Sequence, residues 1–251
     1  MAGIMAVSPV RVPGTVFPQR LPTVIYGKVP RKLLFSEKNN WVLWSGLEKD
    51  STSIDISSLD IPAAKIAGKE GKSLMSAVTY YQMANPEKYW YASGSRAKVS
   101  YDDTVSNPHL TFLYPHAEHL NDAAFEKKVS EICKKARKKK TSAGRIKSVN
   151  ASIIRNTRYI DTDTFSHAYD AYGALVEKKA VCYGYAEAFY LCMKRLHIPV
   201  KYEFNKSCTH VWNRVKVGKK WKVVDVTWNE TTHNGYLLSS SHKGKGVYLE
   251  V

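Results

Sequence analysis

The chain has 251 residues, 44% hydrophobic and 12% aromatic, which is ample material for a core and excludes a chain disordered by composition. Its 38 lysines and arginines outnumber its 22 carboxylates, and the formal charge of +16 favours anionic surroundings: a cell-wall polymer, nucleic acid, a membrane surface or an acidic protein. No nucleic-acid motif accompanies that charge, and no apolar stretch reaches transmembrane length.

Residues 1–30 carry five scattered prolines and read as extended or loop-rich. They lack the charged start and apolar run of a secretory signal, so this stretch carries no address and leaves the compartment open. Asn40-Trp41-Val42-Leu43-Trp44 reads as a short strand, and 65–72, rich in glycine and lysine, as a linker or exposed turn. A helix is predicted over 73–83, ended by Asn85-Pro86. Tyr89-Trp90-Tyr91 alternates into Arg96-Ala97-Lys98-Val99-Ser100-Tyr101, the pattern of half-buried sheet.

From Asn121 or Asp122, either of which can cap it, a helix presents Phe125, Val129, Ile132, Cys133 and Ala136 as an apolar stripe. It runs out into Lys134-Lys135-Ala136-Arg137-Lys138-Lys139-Lys140. Cations there complement the negative end of the helix dipole; the same run also reads as a docking patch for a polyanion. A second helix follows Gly144, with Ile146, Val149, Ile153 and Ile154 on one face. After a polar loop over 161–167, residues 169–176 form a short helix leading to Cys182.

Cys182 stands at the start of a helix whose Tyr185, Phe189, Cys192, Met193 and Leu196 share one face, with Pro199 as its stop. A helix N-terminus carries partial positive charge and open N–H groups, which favour a thiolate. Residues 200–204 read as a strand. Thr209 to Val217 and Lys220 to Trp228 then alternate as two strands joined by the turn Gly218-Lys219. With Val217 paired to Lys220, His210 lies opposite Thr227 and Asp225 is its diagonal neighbour on the same face. Residues 235–238 and 247–251 are predicted as further strands. The chain thus supplies, in order, a thiol that can attack an acyl carbon, an imidazole that can take and return its proton, and a carboxylate that can hold the imidazole's tautomer. The remaining cysteines show no disulfide framework: Cys133 and Cys192 lie on apolar stripes, and Cys208 lies two residues before His210. Cys208-Thr209-His210 has no second ligand pair at zinc spacing, so no metal site and no cofactor is expected.

Ala171-Tyr172-Gly173-Ala174-Leu175-Val176, Ala180-Val181-Cys182-Tyr183-Gly184-Tyr185-Ala186, His210-Val211-Trp212-Asn213 and Val224-Asp225-Val226-Thr227-Trp228 together resemble the transglutaminase-like superfamily, its bacterial branch above all. The resemblance covers about residues 145–240 and implies an α+β, papain-like core. In it, the helix led by Cys182 packs on an antiparallel sheet carrying His210 and Asp225. A mixed and accessory region over 1–120 is expected to precede a catalytic domain over 121–251. Relatives commonly carry a His-Asp dipeptide where Asn150-Ala151 stand here, and the calcium sites of animal transglutaminases have no visible counterpart.

The activity implied is cysteine-dependent acyl transfer on peptide or glutaminyl amide bonds, through a thioester on Cys182, with His210 as base and acid and Asp225 orienting it. The acceptor is water, as in a protease or deamidase, or an amine, as in a transglutaminase; hydrolysis is favoured. The implied partner is a protein or peptide substrate. Trp212 and Tyr172 are expected to contact it, and Tyr172, Tyr159 and His167 are candidates for a second oxyanion donor. His233 and Asn234 are placed at the pocket rim, His197 and His242 at the surface. The alternative is a peptide- or polyanion-binding module on the same fold.

Overall fold

The computed structural model describes residues 53–56, 81, 83–87, 97–102, 105–112, 122–160, 167–205, 210–231 and 246–249. The expected strands at 40–44 and 235–238, most of the helix over 73–83, the cap at Asn121, and Cys208, His233, Asn234 and His242 lie outside these residues. The chain divides into two units, one of residues 1–84 and 90–118, the other of residues 85–89 and 119–251.

In the first unit, β1 (Ser53–Asp55), β2 (Ala97–Asp102) and β3 (Val105–Phe112) form an antiparallel sheet in the order β1-β3-β2. Ile54 and Ile56 are buried on either side of exposed Asp55, the period-two pattern of a one-sided strand.

The second unit opens with α1 (Asp122–Arg137). All five residues of its predicted stripe are buried. The helix stops at Arg137, so Lys138, Lys139 and Lys140 lie beyond it in an exposed turn. Next comes α2 (Ser142–Asn156), which begins before Gly144 because Thr141 caps it: Thr141 is extended, and its Oγ1 accepts the Gly144 N–H at 3.1 Å. Strand β4 (Arg158–Tyr159) pairs in parallel with β5 (Lys179–Ala180). Between them, residues 173–177 wind as a π-turn, closed by a bond from the Lys178 N–H to the Gly173 carbonyl with Lys178 left-handed. The side chains of Asn156 and Thr157 take up the exposed carbonyls of that turn: Thr157 Oγ1 donates to Ala174 at 2.7 Å, and Asn156 Nδ2 to Ala174 and Leu175 at 3.0 Å.

The centre of the unit is α3 (Cys182–Arg195). The sequence predicts a buried face; every residue from Cys182 to Met193 is in fact buried. Helices α1 and α2, the π-turn, and a sheet enclose it, and a large apolar side chain so buried contributes about 1.5–3 kcal/mol. The helix does not wait for Pro199 to end. His197 turns left-handed (φ 54°), its N–H bonds to the Lys194 carbonyl at 3.0 Å, and the Ile198 N–H bonds to Met193 at 2.9 Å, a Schellman stop.

The sheet consists of β6 (Val200–Asn205), β7 (Val211–Val217), β8 (Lys220–Val224) and β9 (Gly246–Leu249), antiparallel in the order β8-β7-β6-β9. Tyr202 stacks on Tyr190 of α3 at 4.4 Å and Phe204 meets Tyr183 at 6.2 Å, so this face of β6 lies on the helix. The β7–β8 register is the predicted one: Val217 pairs with Lys220 across Gly218-Lys219, with Gly218 left-handed at φ 59°. The second strand is shorter than predicted. It ends at Val224, and Val226–Thr231 form a short helix, α4. His210 therefore does not face Thr227 across a ladder. Its meeting with Asp225 takes place where both strands have run out. The architecture is α+β, with the Cys182 helix packed on an antiparallel sheet.

Candidate active site

Cys182 is the first residue of α3, and Val181 before it is extended and offers no side-chain cap to the helix. The approach is braced from the segment at 167–173. The Val181 N–H donates to the Ala168 carbonyl at 2.8 Å. Gly184 lies so close to this segment that a Cβ there would come within 2.7 Å of the Asp170 carbonyl oxygen, so the first turn of α3 needs a glycine at this point.

His210 sits immediately before β7 and is tied to the end of β6 twice. Its N–H donates to Asn205 Oδ1 and its carbonyl accepts from the Asn205 N–H, each at 3.1 Å. Asp225 follows the last residue of β8. Its Oδ2 lies 2.7 Å from His210 Nε2, and its Oδ1 accepts the Trp228 N–H at 2.9 Å. One carboxylate thus orients the imidazole and caps α4. Burial of the ring opposes its charged form, but the bond to Asp225 and the nearby Cys182 thiol outweigh it and raise the His210 pKa to about 10.

Two tryptophans flank this imidazole. Trp212 is tilted against it at 5.7 Å, and Trp228 lies nearly parallel at 6.0 Å. Trp212 is buried, its indole N–H donating at 2.6 Å to Glu203 Oε2, which also accepts from Arg214 Nε at 2.8 Å. Trp228 is 40% exposed, the one exposed large hydrophobic side chain among the described residues.

The model of the transglutaminase-like superfamily matches residues 130–226, a span that contains Cys182, His210 and Asp225. This part of the chain is a transglutaminase-like domain. Three solved structures are similar: a TGase, 15% identical with a TM-score of 0.37, covering 53% of this chain and 44% of its own; a candidate cysteine protease from Cytophaga hutchinsonii, 16% identical with a TM-score of 0.36, covering 57% of this chain and 62% of its own; and a candidate protease from Parabacteroides distasonis, 10% identical with a TM-score of 0.31, covering 59% of this chain and 41% of its own. The chain spans less than two thirds of the length of each. No curated protein matches it.

The other residues singled out in the sequence occupy varied positions in the transglutaminase-like domain. Tyr172 is buried, its ring 6.0 Å from Phe125 and 5.0 Å from His167. Tyr159 is half-buried against Tyr185 at 6.4 Å. His167 is part of a second His–Asp pair: its Nδ1 lies 2.7 Å from Asp170 Oδ2, while Asp170 Oδ1 accepts the Gly173 N–H at 2.8 Å. Burial pushes the Asp170 carboxyl up against the pull of His167 and the Gly173 and Tyr172 N–H groups. For His167, burial is outweighed by the charge and hydrogen bond of Asp170, and its pKa is raised. Asn150, where relatives commonly carry His, is buried and accepts from Asn229 Nδ2 at 2.8 Å; the Asn229 N–H in turn donates to the Asp225 carbonyl at 2.9 Å. Position 150 therefore reaches the carboxylate's own backbone through one side chain. Sequence reasoning missed Trp228 as a neighbour of His210 because the residue was read as the end of a strand. Among the described residues no cluster of His, Cys, Asp and Glu could hold a metal ion.

Proposed function

We propose that the domain is a cysteine-dependent acyl-transfer enzyme acting on peptide or glutaminyl amide bonds, with Cys182 as nucleophile, His210 as base and acid, and Asp225 as the group that orients His210. The observation that carries this reading is that a buried carboxylate lies 2.7 Å from the imidazole Nε2, on a ring close enough to the Cys182 thiol to be affected by it. An imidazole with its pKa raised to about 10 holds its proton at neutral pH, and in the proposed reaction that proton is the one the attacking Cys182 sulfur gives up.

In the proposed reaction the Cys182 sulfur attacks the amide carbonyl carbon. The oxyanion that forms takes the N–H of Cys182 at the uncapped start of α3. His210 gives its proton to the leaving amine, the C–N bond breaks, and a thioester remains on Cys182. His210 then takes a proton from the incoming water or amine, and the thioester is released as acid or new amide. Water is the favoured acceptor. Trp228, stacked on His210 and open to solvent, is the surface on which the acyl-side chain rests; Trp212 backs the ring from inside. The substrate is a protein or peptide. We assign residues 121–251 to the catalytic domain and 1–120 to an accessory region.

The test is iodoacetamide labelling across pH with peptide mapping, on the wild type and His210→Ala. Cys182, beside His210, is expected to alkylate fast near neutral pH, Cys133 and Cys192 slowly, although all three are buried, and the Cys182 rate to fall by about tenfold or more in the variant. A Cys182 that reacts no faster than Cys133 or Cys192 overturns the reading. Glutaminyl peptides offered with and without amine donors then separate hydrolysis from amine transfer.

A further inference from the structure

We propose that the exposed corner between α1 and α2 docks the protein on a bilayer rich in anionic phospholipid. Between positions 122 and 147 the chain carries ten cations and three carboxylates. Glu126 is taken by Arg195 through two bonds of 2.8 and 2.9 Å, and Glu131 by Lys128 at 3.7 Å. Lys134, Lys135, Lys138, Lys139 and Lys140 are exposed and have no ion-pair partner among the described residues.

The helix dipole accounts for part of this charge only. Lys134, Lys135 and Arg137 lie in the last turn of α1, where cations are favoured. Lys138, Lys139 and Lys140 lie past that end and lead directly into the start of α2. A helix start is the positive end of its dipole, and the first turn of α2 has no acidic residue to offset it. Three adjacent lysines at that point repel one another and the helix behind them, so an external anion relieves the strain of like charges.

The shape of the patch selects a surface over a strand. Lys134 and Lys135 lie on the last turn of α1, and Lys138, Lys139 and Lys140 follow in the exposed turn that joins it to α2. These cations form a cap around the end of a helical hairpin. A line of cations tracks a polymer, whereas a cap meets an extended anionic plane. No aromatic residue occurs between Phe125 and Tyr159, so the patch has nothing on which a base could stack. No large apolar side chain is exposed at the tip either, which makes the contact electrostatic adsorption without insertion.

The corner is also anchored at the end of α3 remote from Cys182. Arg137 Nη2 donates to the Arg195 carbonyl at 3.0 Å, and the fourteen residues of α3 span about 20 Å. Docking by this corner leaves the Cys182 end of the helix clear of the lipid.

The experiment is cosedimentation of the full chain with phosphatidylcholine vesicles, with and without phosphatidylserine, at low and raised salt. Binding is expected only with phosphatidylserine and to weaken steeply with salt. Lys138→Gln/Lys139→Gln/Lys140→Gln is expected to reduce it by about tenfold or more, with an unchanged circular dichroism melt. The same number of changes on the β7–β8 hairpin, Lys219→Gln/Lys220→Gln/Lys222→Gln, serves as the control for net charge. The proposal is overturned by binding that ignores phosphatidylserine, by equal losses in the two triple variants, or by duplex DNA that displaces the protein from the vesicles. Because Cys182→Ala is expected to bind vesicles as the parent does, failure here leaves the acyl-transfer reading intact, and the reverse holds.

Discussion

The domain contains two His–Asp pairs of the same length. His210 and Asp225 lie 2.7 Å apart at the open end of a hairpin; His167 and Asp170 lie 2.7 Å apart in the segment that braces the start of α3. Both imidazoles have raised pKa values. What differs is the third partner. His210 meets a thiol and a solvent-facing tryptophan, while His167 meets the buried Tyr172 ring and shares its carboxylate with the Gly173 N–H. The carboxylate–imidazole contact is therefore no signature of chemistry by itself. In one place it orients the imidazole that we propose as the proton carrier, and in the other it fastens a loop whose Gly173 is so close to the His167 carbonyl that no side chain would fit.

The comparison is broken most severely at Asp225. Asp225→Asn is expected to lower kcat/KM by about 10²–10⁴-fold, and to bring the alkaline limb of the pH–rate profile down from about 10. The direction follows from the sign of the shift. A pKa raised from 6.5 to about 10 means that the imidazolium pair is favoured throughout the range below its folded value and lost as the pH rises through it. Removing the carboxylate removes a cause of the rise. Were the limb to stay in place, Asp225 would not be holding the charged imidazole.

Asp170→Asn sharpens the contrast by doing the opposite. It leaves a buried imidazole without its charge partner and is expected to cost about 3–5 kcal/mol of stability, read as a fall in denaturation midpoint. In the fraction that remains folded, Cys182 is expected to alkylate at the parental rate. The stability that His167 contributes is present at low pH and lost as the pH climbs past its raised pKa, so the gap between parent and variant narrows toward alkaline pH. A variant that keeps its midpoint but loses Cys182 reactivity would turn the brace into part of the reactive site.

The smallest expected effect belongs to the hairpin turn that fixes the His210 side of the comparison. Gly218→Ala asks an L-residue to hold φ 59° in open space, with no heavy atom within 4 Å of the added Cβ. The cost is about 1 kcal/mol, all of it in backbone strain, with kcat/KM unchanged in thermal melts and assays run well below the midpoint.

Much of the site was legible because its geometry is local. The Gly218-Lys219 turn set the register, and the register brought His210 near Asp225. The helix stripe led back to Cys182 at its first position. Two features were hidden by competition between patterns. Val226-Thr227-Trp228 alternates like a strand, but Asp225 Oδ1 captures the Trp228 N–H and starts α4 instead. The helix signal was an acid followed by a short polar stretch, too brief to outweigh the alternation. His167 was read as loop because its partner is three residues on, with no helix there to hold the spacing. The complete burial of α3 was equally invisible: Tyr183, Glu187 and Tyr190 look like an exposed side until α1, α2 and the sheet close over them.

That enclosure has a consequence for how the molecule opens. Amide groups in α3 are expected to exchange with solvent more slowly than those at the exposed turn of the β7–β8 hairpin, because the helix is freed only when its covering elements come away together. The thiol of the proposed reaction is thus carried by the element expected to open last.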